Sequence, residues 1–212
     1  MKSTQSGRSM IEMIGVLSVI GVLSVGGITG YSKMMSQYKI NKSIELVVAI
    51  SSKISQVGAQ SGTYDGLTNT SATKFGAVPY SAKASSDGSV LRHPFNGSLT
   101  IASKDLVTDS GDQQAYTIRF DDVPQAACIT LASYGWSSNQ NASLIGIGAG
   151  SSSDYESSVT DALTFECSGS AAEGYAVACS GGSTIGVPMS PGMAATGCDC
   201  SGGKCFLIWM FF

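Results

Sequence analysis

The sequence is poor in the residues on which most enzymes depend. It has one histidine, His93, in 212 residues, which leaves no multi-histidine metal site and little scope for histidine-based catalysis. Charge is also sparse. Asp, Glu, Lys and Arg make up 13% of the chain, about half the share of an ordinary soluble domain. Disorder requires low hydrophobicity and high charge, and a 43% hydrophobic chain with so little charge has neither. There is no basic excess: the net charge is −3 and the pI about 5.0, so no nucleic-acid partner is expected. No serine nucleophile motif, Cys/His pair or phosphate loop accompanies the lone histidine. In their place stand 26 glycines, many serines and six cysteines, the mark of an extracytoplasmic, disulfide-bearing chain.

The few charges are segregated. Residues 1–42 hold five bases (Lys2, Arg8, Lys33, Lys39, Lys42) and one acid, Glu12. The rest of the chain carries seven bases and 14 acids. A basic, apolar stem therefore precedes an acidic head, with the bases where a membrane interface would lie. Between Glu12 and Lys33 run 20 uncharged residues, 13–32. As a helix they span ~30 Å, the thickness of a bilayer core. A cleaved secretory signal is a poorer reading, since its apolar core is shorter and ends in a small-x-small site. A plain membrane anchor leaves Glu12 unexplained, because a carboxylate at the edge of an apolar run is costly in lipid unless paired.

Beyond the run, Tyr31, Met34, Tyr38, Ile44, Val47, Val48, Ile54 and Val57 recur mostly at three- and four-residue steps. Gly58 and Gly62 supply stop signals. One helix is expected from Ser9 to Gln60, apolar all round at first and amphipathic later. From Ser61 the pattern changes to short segments between Gly, Ser, Asn and Asp. Leu99–Ser103, Tyr116–Phe120, Leu144–Ile147 and Cys205–Phe212 read as strands. Residues 124–133 read as a short helix with Pro124 in its first turn. Residues 61–90 and 149–160 read as polar loops. The terminal CFLIWMFF is too short to cross a membrane and too apolar for an edge, so it reads as the central strand of an antiparallel sheet that wraps the second half of the stem.

Cys128, Cys167, Cys179, Cys198, Cys200 and Cys205 allow up to three disulfides in 15 connectivities. Cys198 and Cys200 are too close in sequence to pair well. A bridge from Cys128 to the C-terminal cluster would close a long loop, worth ~3–5 kcal/mol in chain entropy. A metal is not expected: the cysteine cluster has no second ligand group and no histidine nearby. Asp105, Asp109, Asp112, Asp121 and Asp122 lack the spacing of a calcium loop and read as solvated acidic loop. His93, before Pro94 in an apparent turn, reads as structural or solvent-exposed.

The N-terminus resembles the type IV pilin superfamily. A short basic leader ends at Gly7, Glu12 is the fifth residue after it, and an unbroken apolar helix follows. The resemblance covers about the first 60 residues. It implies that residues 1–7 are a leader cut between Gly7 and Arg8 by a prepilin peptidase, and that the new amine, that of Arg8, is methylated. It also implies that Arg8 and Glu12 are assembly residues, Glu12 meeting the amine of a neighbouring subunit. The alternative is that Arg8, one turn away in the same chain, partly satisfies Glu12. Arg8 stands where the family usually has Phe or Met, and Thr29 where many members have a helix-kinking Pro. Gly26, Gly27 and Gly30 lie there instead as sites of helix flexibility, each weakening the helix by about 1 kcal/mol. In the head, His93-Pro94-Phe95-Asn96-Gly97-Ser98 before LTIA, and TIRFDDVPQAACITLAS, resemble the type IVb branch.

The implied fold is α+β: a stem helix over 8–60, transmembrane across 13–32 and then amphipathic, packed on a disulfide-containing head, 61–212, with an antiparallel sheet. The implied role is a structural subunit of a pilus-like extracellular filament, waiting in the bacterial inner membrane as a precursor. Its partners would be copies of itself, the prepilin peptidase and the assembly machinery. It would be no enzyme and need no cofactor. The alternatives are a minor pilin or secretion pseudopilin and, in another class, a membrane-anchored extracellular binding module.

Overall fold

The computed structural model describes residues 10–104, 111, 113–136, 144–151, 175–179 and 187–212. The chain divides into two units, Met1–Tyr38 and Lys39–Phe212. A single helix, α1 (Met10–Ser61), contributes to both. In the first unit it is all that is described, and every residue from Met10 to Met34 is exposed.

In the second unit the helix acquires a buried side. Ile40, Ser43, Leu46, Val47, Ile50, Ser51, Ile54 and Gly58 are buried, at the three- and four-residue steps that place them on one stripe. The helix ends where Gly62 turns into the left-handed region (φ +73°) and its N–H donates to the Gly58 carbonyl at 2.8 Å. Gly58 itself lies against the Tyr64 ring, so close that a Cβ there would sit 2.0 Å from the ring edge.

That stripe lies on a six-stranded antiparallel sheet of order β1-β2-β3-β6-β4-β5. The strands are β1 (Leu91–Arg92), β2 (Ser98–Lys104), β3 (Ala115–Pro124), β4 (Leu144–Ser151), β5 (Tyr175–Cys179) and β6 (Lys204–Phe211). Among the described residues three short α-helices accompany α1: α2 (Asn69–Lys74), α3 (Gln125–Ala132) and α4 (Pro191–Gly197). The C-terminal strand β6 is central, flanked by β3 and β4, and buried from Cys205 to Phe211. Pairings such as Ile118↔Trp209 and Ile147↔Trp209 fix its register. By strand alternation Leu207, Trp209 and Phe211 join Ile118, Phe120 and the α1 stripe in one core, while Phe206, Ile208 and Met210 take the opposite face. On that opposite face β4 offers only glycine: Gly146, Gly148 and Gly150 pair with Met210, Ile208 and Phe206.

Aromatic rings carry the core across the sheet. His93 stacks on Phe120 (4.6 Å), Phe120 meets Trp209 edge-on (5.0 Å), and Trp209 meets Trp136 (5.2 Å). The Tyr116 hydroxyl ties the sheet to α1, donating to the Ser51 carbonyl at 3.1 Å and lying 2.9 Å from Ser55 Oγ. Burial pushes that phenol well above its ordinary pKa, so it keeps its proton.

Three expectations change. Residues 61–90 are not one polar loop: α2 forms there, started by a capping box in which the Thr68 and Ser71 side chains each bond the other's backbone N–H. A six-residue helix is too short for periodicity to reveal. The expected loop from 149 is still strand as far as Ser151, because its glycines pair within the sheet. Asp121 and Asp122 likewise lie in β3, not in a solvated loop. An extra residue between Phe120↔Leu207 and Val123↔Cys205 makes a β-bulge, with Asp122 left-handed (φ 59°). Asp105, Asp109 and Asp112 fall outside the described residues.

Candidate functional site

The feature of the first unit is its naked apolar helix. Met10, Ile11, Val22 and Leu23 are 69–85% exposed, and the most apolar stretch, of mean hydropathy 2.1, has none of its residues buried. Each large apolar side chain left in water forgoes about 1.5–3 kcal/mol of burial, so such a surface demands lipid or other protein. Its polar side chains make no such demand. Ser18, Ser24, Thr29 and Ser32 donate back to the carbonyls of Gly15, Ile20, Val25 and Ile28 at 2.7–3.0 Å. Gly15, Gly21, Gly26, Gly27 and Gly30 have no atom within 4 Å of where a Cβ would stand, and α1 stays helical through all of them. Nothing described in the first unit therefore requires glycine at these positions. Small residues there leave room for close approach by another helix.

Glu12 is the one acid in this stretch, in the first turn of α1, where the helix dipole favours a negative charge. Gly7 and Arg8 fall outside the described residues.

In the head, four of the six cysteines are seen in structural bridges. Cys128 on α3 is bonded to Cys198 at the end of α4, with Cα atoms 5.9 Å apart. Cys200 is bonded to Cys205 at the start of β6, with Cα atoms 5.4 Å apart. No cysteine with a described side chain is free. Cys128, Cys198 and Cys205 bring their sulfurs within 4.8 Å of one another, a spacing that would suit a metal, but all three are already oxidised. Cys167 and the side chain of Cys179 fall outside the described residues, although β5 places the Cys179 backbone opposite Gly146.

His93 is a structural pin at the β1–β2 turn. It is buried, its Nε2–H donates to the Asp121 carbonyl at 2.6 Å, and its Nδ1 accepts from the Phe95 N–H at 3.3 Å. These bonds require the neutral ring, and burial lowers its pKa against the pull of the Asp121 and Asp122 charges. The Asp121 carboxylate accepts from Arg119 Nε (2.7 Å) and Ser98 Oγ (2.9 Å). The sheet's bulge, an ion pair and a buried imidazole thus lock one turn, and both ring nitrogens of the histidine are committed to holding it.

Among the described residues lies a concavity that the sequence does not reveal, a cleft of about 270 Å³ walled by Ile54, Val57, Tyr64, Leu67 and Phe75. Its walls come from the last turns of α1, the turn that follows and the end of α2. No single stretch carries a pattern for it, so the sequence offers no signal without the fold.

A long apolar N-terminal helix running into an antiparallel sheet with the C-terminal strand at its centre is the fold of a type IV pilin. Among solved structures, the crystal structure of TcpA, a type IV pilin from Vibrio cholerae El Tor biotype, matches with a TM-score of 0.50 at 18% identity, covering 82% of this chain and 99% of that one. The type IVb pilin from Salmonella typhi matches with a TM-score of 0.46 at 14% identity, covering 82% and 97%. No curated protein sequence matches. Residues 37–178, more than half of the chain, match the family described as PilS N terminal, and the chain belongs to that family of type IV pilins. Family and fold are those of structural subunits, not of enzymes.

Proposed function

We propose that the chain is a filament subunit that assembles through α1. Residues 1–7 form the leader, and a prepilin peptidase cuts between Gly7 and Arg8. Until then the apolar half, 13–32, holds the precursor in the bacterial inner membrane with its head outside. On assembly that half leaves lipid and joins the same segment of other copies in the filament core, where Glu12 pairs with the methylated amine of a neighbour. Gly26, Gly27 and Gly30 allow the helix to bend as it moves. The observation that carries this reading is the exposure of every residue from Met10 to Met34 in an apolar helix with a single acid.

Glu12→Ala tests it. The variant should insert, lose its leader and form the disulfides of its head, while filament yield falls at least tenfold, as expected when a buried pair worth about 3–5 kcal/mol loses one partner. Electron microscopy of sheared surface material and mass spectrometry of the cell-bound subunit give both readings. Normal filaments from Glu12→Ala, or a mature chain that still begins at Met1, would refute the proposal.

A further inference from the structure

Two disulfides of the head are built into one cluster. Cys205 Sγ, though bonded to Cys200, lies within 4.8 Å of both sulfurs of the Cys128–Cys198 bridge and 3.4 Å from the Cys198 carbonyl. Cys200 Sγ is placed differently, 3.3 Å from the Gly150 carbonyl of β4. The backbone of Cys205 is held from both sides, paired with Val123 of β3 and with Ser151 of β4. Its sulfur would therefore stay beside the Cys128–Cys198 bridge if its own bond opened. Cys200 lies only five residues before Cys205, and in the loop between them Gly202, Gly203 and Lys204 are exposed. Cys128, Cys198 and Cys205 are fully buried, and Cys200 retains 8% exposure. Among the described residues, an external thiol thus has one point of entry to this cluster, Cys200, reached by lifting a short exposed loop.

We propose that Cys128, Cys198 and Cys205 form an intramolecular disulfide-exchange site, entered at Cys200 by an external thiol. The thiolate of that thiol attacks Cys200 Sγ. A mixed disulfide forms there, the Cys200–Cys205 bond breaks, and Cys205 leaves as the thiolate. Cys205 then attacks the Cys128–Cys198 bridge. A bond forms from Cys205 to one sulfur of that bridge, and the other sulfur leaves as thiolate. The second step moves a bond without net oxidation or reduction. A buried bridge between α3 and α4 is in this way opened from the surface without exposing it, and wrong pairings made during oxidative folding are corrected by the same route.

The test uses the full-length chain in detergent. Cys200→Ser leaves Cys205 as a free thiol, so exchange needs no added reductant. Cys205→Ser leaves Cys200 instead, outside the trio. Both variants are held at about pH 8.5, where a free thiol is substantially ionised, then acid-quenched and alkylated. Lys204, Asp199 and Met193 lie between these cysteines, so protease and cyanogen bromide cleavage puts each on its own peptide. Cys200→Ser should yield bridges from Cys205 to Cys198 or Cys128, with label on the cysteine set free. Cys205→Ser should keep Cys128–Cys198 intact, with label on Cys200. Label on Cys205 alone in the first variant, equal exchange in both, or a Cys205 bridge to Cys167 or Cys179 would overturn the proposal. Wild-type chain given limiting thiol covers the event that a variant misfolds. Molecules whose Cys200–Cys205 bond has opened should then carry label on Cys128 or Cys198, and label confined to Cys200 and Cys205 refutes the relay.

Discussion

Gly58 is where helix propensity and tertiary packing pull in opposite directions, and the balance can be measured. In the interior of a helix, Gly→Ala ordinarily stabilises by about 1 kcal/mol. Here a Cβ would stand 2.0 Å from one ring carbon of Tyr64 and 2.4 Å from the next. The ring must leave its seat. It then gives up its contact with Tyr116, now at a centroid distance of 4.7 Å, worth about 0.5–1.5 kcal/mol. It also gives up the burial of a half-covered side chain, roughly another 1–2 kcal/mol. The loss outweighs the helix gain, so Gly58→Ala should destabilise the head by about 1 kcal/mol, a drop of roughly 0.5 M in the urea midpoint at an m-value near ~2 kcal/mol/M. The buried Trp136 and Trp209 report unfolding by fluorescence in the full-length chain in detergent. The decisive measurement is the same substitution in a Tyr64→Ala background. With the ring gone, only propensity remains, and Gly58→Ala should become stabilising. The same sign in both backgrounds would show that the Tyr64 contact does not set the requirement for glycine.

The β1–β2 turn gives two further expected outcomes. Because burial lowers the pKa of His93, the unfolded chain takes up a proton before the folded one does, so stability should fall as pH drops through about 6.5 and level off below the folded value. Urea midpoints at about pH 5 and about pH 7, on either side of that value, measure this, and a slope undiminished in His93→Gln would place the titrating group elsewhere. Gly97→Ala would set a Cβ 1.9 Å from the Asp121 carbonyl oxygen, a backbone atom that cannot swing aside as Tyr64 can. It should cost about 3 kcal/mol, well above Gly58→Ala, and equal midpoints for the two variants would contradict that ranking.

The long elements were legible because their patterns extend over many residues. Twenty uncharged positions and a recurring stripe define α1, and the unbroken apolarity of CFLIWMFF left a central strand as its only comfortable place in a sheet. The strand candidates at Leu99, Tyr116 and Leu144 lie within β2, β3 and β4. What escaped was short or decided by distant partners. A capping box makes α2 from six residues, β1 has two, and β5 has no pattern separating Tyr175–Cys179 from the glycines and serines around it. His93 could be read as a turn residue, but its stacking on Phe120 depends on a separate strand, β3. Which cysteines pair is likewise a property of the fold: Cys128 and Cys198 meet across 70 residues because α3 and α4 do.

The two parts of α1 differ in how much they specify. From Lys39 onward, buried and exposed positions alternate with the helical period, and the sheet can be met by one face only. Across the uncharged run 13–32 the helix is exposed and largely apolar on every side, and no face is preferred. Lipid satisfies such a helix from all directions, and so does a ring of identical helices. Neither fixes its height, since Val, Leu, Ile and Gly recur throughout and a slip of one turn, about 5.4 Å, exchanges one apolar residue for another. On the assembly proposed above, Glu12 would break that degeneracy: buried at the wrong height, its carboxylate would lack a partner, at a cost of about 3–5 kcal/mol. On that reading residues 13–32 are uncharged for the same reason that Glu12 matters: a second acid there would offer a competing register, and a base there would offer Glu12 a competing partner.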